Sequence, residues 1–289
     1  MYKRQDLAYC WGANLLAQLG DGTRTRRLQP VPVRGGRRYR QLEVGNTHAC
    51  AVTFSDVAYC WGDNTHGQLG DGTAHGPLGP VRVAGGLKFR RIVTGDAHTC
   101  AATPGDRLYC WGDNTYGQLG DGTLAPRLVP TRVLGGLLFQ RFSAGESHSC
   151  GVTGTGQGYC WGRNRFGALG IGMIGRQVQP TAVVGGLRFN GVNAGQEYTC
   201  GVATDNRAYC WGSSHSGRLG DGTFVDRLSP VRVAGDLRFG GVTTSLSGFD
   251  TCGLTTAQRA YCWGSNFVGG LGDGTTQDHE VPEPVVGPM

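Results

Sequence analysis

Hydrophobic positions in this chain come in short runs. In one stretch, Leu87-Lys88-Phe89, Ile92-Val93, Cys100-Ala101-Ala102 and Leu108-Tyr109-Cys110-Trp111 are punctuated by Gly95-Asp96, Pro104-Gly105-Asp106 and, further on, Asp121-Gly122-Thr123 and Gly135-Gly136. β-Branched and aromatic residues suit a pleated, half-buried surface, while Gly, Pro and Asp-Gly supply the φ angles that turns need. No window long enough for a helix keeps a 3.6-residue period. The pattern predicts short strands and almost no helix.

The pattern then repeats. A Cys-Trp-Gly phrase recurs with Trp at 11, 61, 111, 161, 211 and 263, so four intervals are 50 residues and the last is 52. A period this constant means one supersecondary unit stacked many times. Four antiparallel strands per unit, copied around an axis, make an all-β fold, the β-propeller. The expected organisation is one propeller domain over 1–289, with a partial blade at 1–36 and blades at about 37–86, 87–136, 137–186, 187–236 and 237–289. That is about five and a half blades of a six- or seven-bladed ring. The 52 glycines in 289 residues suit tight turns and close packing.

Ten of the 11 cysteines form pairs ten residues apart: Cys50 with Cys60, Cys100 with Cys110, Cys150 with Cys160, Cys200 with Cys210 and Cys252 with Cys262. A hairpin between the partners would set them opposite one another, at a distance compatible with a disulfide. The alternative is small buried thiols between blades. Zinc is disfavoured, since no C-x₂₋₄-C pair exists. Disulfides imply an oxidising compartment, yet Met1 to Asp6 opens no signal peptide. Cys10 holds the second position of a pair whose first would precede Met1. The expectation is therefore a fragment, or a gene start placed too late, with the last two strands of its first blade present and a signal peptide and one further blade lost upstream. The last strand is expected at Val281–Val286.

Gly95-x-x-His98-Thr99 and Trp111-Gly112-x-Asn114-x-x-Gly117-Gln118-Leu119-Gly120 resemble the regulator of chromosome condensation repeat. The added cysteines resemble bacterial secreted members of that family. The resemblance implies a propeller and a protein-binding face. Its members include a nucleotide exchange factor for a small GTPase, an ultraviolet-B sensor and a β-lactamase inhibitor, so it does not name one activity. The sensor's tryptophan cluster has no counterpart here, because all six Trp sit in the Cys-Trp-Gly strand.

By strand order, the loops from Gly95 to His98 and from Asn114 to Pro130 share a face, and the short turns share the other. Departures from the repeat gather on the long-loop face. Asp21, Asp71, Asp121, Asp221 and Asp273 hold one turn position that becomes Ile171 in the fourth copy. Thr123 becomes Met173, and the recurrent His becomes Tyr198. In the last copy that position falls at Asp250, after an insertion around Leu246–Phe249. With Phe166 and Ile174 these side chains could form an apolar patch rimmed by Arg163, Arg165 and Arg176, the composition of an interface. The competing reading is drift in one blade, with the side chains packed locally.

His48, His98 and His148 could form a metal ring, but a hydrogen bond bracing each loop is the simpler reading. Asp-Gly-Thr is ordinary turn chemistry and lacks clustered calcium ligands. The net charge of +6 comes from 25 Arg and two Lys against 21 acids. The arginines spread with the repeat and interleave with no aromatic stripe, which argues against nucleic acid. No nucleophile set or phosphate loop stands out; Asp96, Glu146 and Glu197 are the faint catalytic candidates. The expectation is a non-enzymatic, monomeric, secreted or cell-surface protein without cofactor, metal or membrane span, binding a protein partner through the long-loop face. The alternatives are an intracellular exchange-factor-like regulator of a small GTPase and a carbohydrate-binding module.

Overall fold

The computed structural model describes residues 2–4, 6–246 and 248–287. The chain divides into two compact units, Met1–Leu138 and Phe139–Met289. Both are built from the blade expected above: β-propeller blades of antiparallel strands, each hydrogen-bonded to the next in chain order.

In the first unit, blade two runs Tyr39–Val44, His48–Thr53, Ala58–Gly62 and Val81–Arg82. Blade three runs Arg91–Thr94, His98–Ala102, Leu108–Gly112 and Arg127–Arg132. Blade one corrects the expected two strands: it has three, Tyr2–Arg4, Leu7–Gly12 and Arg27–Pro32. The added strand pairs Tyr2 with Tyr9 and Arg4 with Leu7. Its turn uses Asp6 at φ 66°, the position that Asp56 and Asp106 hold at φ 63° and 61°. Asp tolerates this left-handed conformation.

In the second unit, blade four runs Phe139–Ala144, His148–Thr153, Gly158–Gly162 and Gln177–Ala182. Blade five runs Phe189–Ala194, Tyr198–Ala203, Ala208–Gly212 and Arg227–Arg232. Blade six runs Phe239–Thr244, Asp250–Thr255, Ala260–Gly264 and His279–Pro284, so its last strand starts two residues before the expected Val281. Helix among the described residues is confined to three single 3-10 turns, and none is long and apolar enough to cross a membrane.

The second and third strands of each complete blade form a hairpin that sets its two cysteines directly opposite, as Cys100 opposite Cys110. All five pairs are disulfides with Cα atoms 4.1 Å apart. Cys10 is free and buried, and burial pushes its thiol up to about 12.

Inside each unit, blades join by inserting Trp into the preceding blade's glycine loop. Trp111 lies so close to Gly70 that a Cβ there would come within 2.5 Å of the indole. Its Nε1–H donates to Gln68 O at 2.9 Å. Trp211 and Trp263 repeat this on Gly170 and Gly220, donating to Ala168 O and Arg218 O. Phe89, Phe189 and Phe239 pack on those indoles at 5.7–5.9 Å between ring centres.

Candidate partner-binding face

The loop between third and fourth strands is held by one buried asparagine. In blade three, Asn114 Oδ1 accepts from Leu119 N–H at 3.0 Å. Its amide reaches Asp121 Oδ1 at 3.1 Å, Thr123 O at 3.1 Å and Ala125 O at 3.0 Å. Asp121 accepts from Thr123 N–H and hydroxyl, and from Arg127 Nε at 2.7 Å. Burial alone would raise the Asp121 carboxyl, but the bonds from Thr123 and Arg127 outweigh it and hold it below the usual carboxylate range. A second brace links Gln118 Nε2 to Asp113 Oδ2 at 2.7 Å.

Blade four keeps the asparagine and loses the rest. Asn164 still accepts from Leu169 N–H at 3.0 Å and donates to Met173 O and Gly175 O at 2.7 and 3.3 Å. Ile171, Met173 and Gln177 stand where Asp121, Thr123 and Arg127 stood. Arg163 and Ala168 replace Asp113 and Gln118. Arg163 instead pairs with Glu197 at 3.1 Å. Glu146, Ser147, His148, Arg163, Arg165, Ala168 and Glu197 line a narrow recess too tight to admit a water molecule.

This geometry divides the expected patch. Met173 and Ile174 are exposed, as are Arg165 and Arg176, and Phe166 is half-buried beneath the Arg165 guanidinium at 5.0 Å. Ile171 is a correction: it is buried with Leu169, Val183, Phe189 and Trp211, because this turn position points inward and an aliphatic side chain fills it. Tyr198 is a second correction. It is wholly buried, its hydroxyl donating to Asp250 O at 2.7 Å, and burial pushes its pKa up to about 12. Phe249 is half-buried rather than displayed, edge-on to His215 at 4.9 Å.

Between Tyr198 and Phe249 lies a residue that the repeat comparison missed. Arg218 takes the Gln118 position and is buried, its guanidinium 4.9 Å from the Tyr198 ring centre and 5.1 Å from that of Phe249. Its nitrogens donate to Ser213 O, Ser213 Oγ and Gln196 O. Burial lowers its pKa. Carbonyls and two aromatic faces compensate the buried charge. Phe224 and Val225, also missed, are exposed on the blade-five loop at the positions of Ile174 and Gly175. Their signal was the apolar pair after Asp221-Gly222-Thr223.

The recurrent histidines serve the joints. His48 Nε2 lies 2.8 Å from Thr99 Oγ1, whose only proton goes to Gln68 O at 2.7 Å. Thr99 must therefore accept, so Nε2 carries the hydrogen. His148, Thr199 and Ala168 O repeat this arrangement. Burial pushes both imidazoles down to about 4. Of the acidic candidates, Asp96 accepts from Asn46 at 2.9 Å, Glu197 pairs with Arg163, and Glu146 lines the recess.

Among solved structures, human WBSCR16 superposes with a TM-score of 0.86 over 97% of this chain and 76% of that one, at 20% identity. Prp20p of Saccharomyces cerevisiae gives 0.60 over 99% and 88%, at 17% identity. The ectodomain of the Physcomitrella patens receptor kinase CR4 gives 0.54 over 82% and 53%, at 24% identity. At these identities the likeness is one of fold. No curated protein matches the sequence. The family model of the RCC1-like domain matches residues 2–254, and the chain belongs to that family.

Proposed function

We propose that this chain is a non-enzymatic, secreted or cell-surface propeller that binds a protein partner through its long-loop face, centred on blades four and five. The observation that carries the reading is the exchange of the Asp–Thr–Arg brace for Ile171, Met173 and Gln177. It puts Met173 in solvent beside the exposed Ile174 on blade four, with Phe224 and Val225 exposed on the equivalent loop of blade five. Aromatic, Met and Arg side chains are enriched at interfaces, and grouped exposed apolar side chains mark them.

Five disulfides fit an oxidising compartment. Relatives support a binding role: Prp20p is described with its binding to Gsp1p and histones, and the moss structure is a receptor-kinase ectodomain. The exchange-factor reading draws on the same yeast protein, and the cysteine chemistry weighs against it.

Cross-linking to proteins outside the producing cell tests the face. Met173→Asp with Ile174→Asp is expected to lower capture of the partner by about tenfold or more, ~1.4 kcal/mol. Unchanged capture refutes the face. A thiol count on denatured, unreduced protein from its native source tests the compartment: Cys10 alone should react, and eleven reactive thiols would overturn secretion.

A further inference from the structure

The turn that leads from one blade to the next has apolar ends in four copies. It reads Ala84-Gly85-Gly86-Leu87, Leu134-Gly135-Gly136-Leu137, Val184-Gly185-Gly186-Leu187 and Ala234-Gly235-Asp236-Leu237. Its last residue belongs with a tyrosine: Leu87 and Tyr109 pack on one core cluster, Leu187 and Tyr209 on another, Leu237 and Tyr261 on a third. The turn from blade one to blade two departs from this at both ends. It reads Arg34-Gly35-Gly36-Arg37.

Arg37 keeps the tyrosine and changes what lies on it. Its guanidinium sits over the Tyr59 ring, 4.4 Å from the centre. It also lies so close to Gly35 that a side chain there would collide with Nη1, whereas a Cβ at Gly85, Gly185 or Gly235 would meet nothing within 4 Å. Arg34 runs along Gly22 and Gly79, whose Cβ atoms would stand 3.4 and 3.6 Å from its stem. Neither guanidinium has an ion-pair partner among the described residues, unlike Arg27, Arg40 and Arg90. The facing wall comes from blade two. Pro77 stands where Arg127 stands in blade three, and without an N–H it cannot repeat the pairing of Arg127 with Gly112. The fourth strand shrinks to Val81–Arg82, against six residues in blade three. Arg34, Gly35 and Arg37 with the segment 77–80 line an open cleft of about 370 Å³.

We propose that this cleft binds a small phosphate or sulfate monoester, its oxyanion held by Arg34 and Arg37 and its organic group resting on Leu78 and the two prolines. A planar guanidinium donates parallel hydrogen bonds to such an oxyanion, and two unpaired ones match its charge. Stacking on Tyr59 and contact with Gly35 fix the Arg37 fork before the ligand arrives, which lowers the ordering cost of binding. Leu78 is 44% exposed between Pro77 and Pro80, an apolar surface that an inorganic ion would leave unused. The site shares no residue with the partner-binding face and goes beyond that reading.

Calorimetric titration of the intact chain with a sugar phosphate, the matching sugar sulfate, inorganic phosphate and the uncharged sugar tests this. One or both esters should bind, inorganic phosphate more weakly, and the uncharged sugar not at all. Arg37→Leu installs the residue of the other four turns, so it should melt at the wild-type temperature while ester affinity falls about tenfold or more. Arg34→Ala should act in the same direction. Arg132→Ala, at an exposed arginine of blade three, should change affinity by less than about twofold, since a distant charge is screened. Absence of ester binding up to ~10 mM overturns the proposal. So does binding that survives Arg37→Leu and Arg34→Ala, or that falls equally in Arg132→Ala. Inorganic phosphate that binds as tightly as the esters overturns the assignment of a monoester.

Discussion

Blades three and four trace the same loop with opposite chemistry. In blade three, Asn114, Asp121, Thr123 and Arg127 form a closed polar network with the carboxylate buried inside it. In blade four, Asn164 alone carries the loop, over a buried Ile171. The lesson is a division of labour. The asparagine sets the path by binding carbonyls that any residue can present. The Asp–Thr–Arg set closes the turn with polar groups, and once it is gone Met173 stands outside; the following position is exposed with or without the set, as Leu124, Ile174 and Phe224 show.

The comparison breaks hardest under acid, at the joints. His148 is buried neutral with a pKa pushed down to about 4, against an ordinary value of 6.5. Its folded pKa lies below its unfolded one, so the stability it contributes is present above pH 6.5 and is lost as pH falls toward 4. The loss is about 3 kcal/mol across that window. His48 adds a similar loss. Tyr198 occupies the equivalent joint of blade five and gains no charge there. Denaturation midpoints between pH 7 and 4 should therefore fall less steeply for His148→Tyr than for wild type, and parallel slopes would refute the assignment.

Next in size is the asparagine. Asn114→Ala leaves Leu119 N–H and its carbonyl partners unmatched and should cost about 2–3 kcal/mol, while Asn164→Ala, with fewer bonds, should cost about 1 kcal/mol less. Equal losses in chemical denaturation would mean that the polar network adds nothing to the loop. Smaller still is the graft. Ile171→Asp alone buries a carboxylate without its Arg and should lose about 2 kcal/mol; adding Met173→Thr and Gln177→Arg should return about 1 kcal/mol of it. A triple variant no more stable than the single one would show that blade four has repacked around Ile171. Least visible is Ile174→Ser. Stability should move by less than about 0.5 kcal/mol, so a melt at the wild-type temperature paired with weakened partner capture would separate binding from folding.

Strands, turns and cysteine pairing were legible because each depends on residues within about ten positions and recurs with the repeat. The loop face was legible only in outline. Ile171 and Met173 both replace polar residues, and their identities do not say which points inward; the turn buries the first and exposes the second. Tyr198 reads as an aromatic on a loop, yet its hydroxyl reaches across to Asp250 and keeps the ring inside. Arg218 reads as a surface charge, and only the stack with Tyr198 and Phe249 shows that it is not. The strand at Tyr2–Arg4 had its signal in Asp6, whose turn position was visible in every later copy.

The hairpin disulfides bear on how the molecule is made. Each bond joins cysteines ten residues apart, while the next cysteine along, as from Cys60 to Cys100, is 40 residues away. Closing the shorter loop is favoured by about 1.2 kcal/mol in chain entropy, roughly eightfold. In the secreted reading proposed above, a chain delivered from its N-terminus presents each blade's second cysteine before those of the next blade, as Cys60 before Cys100, with Cys10 the earlier competing thiol. Oxidation can then keep pace with delivery, blade by blade, without waiting for the propeller to assemble and with little work for an isomerase.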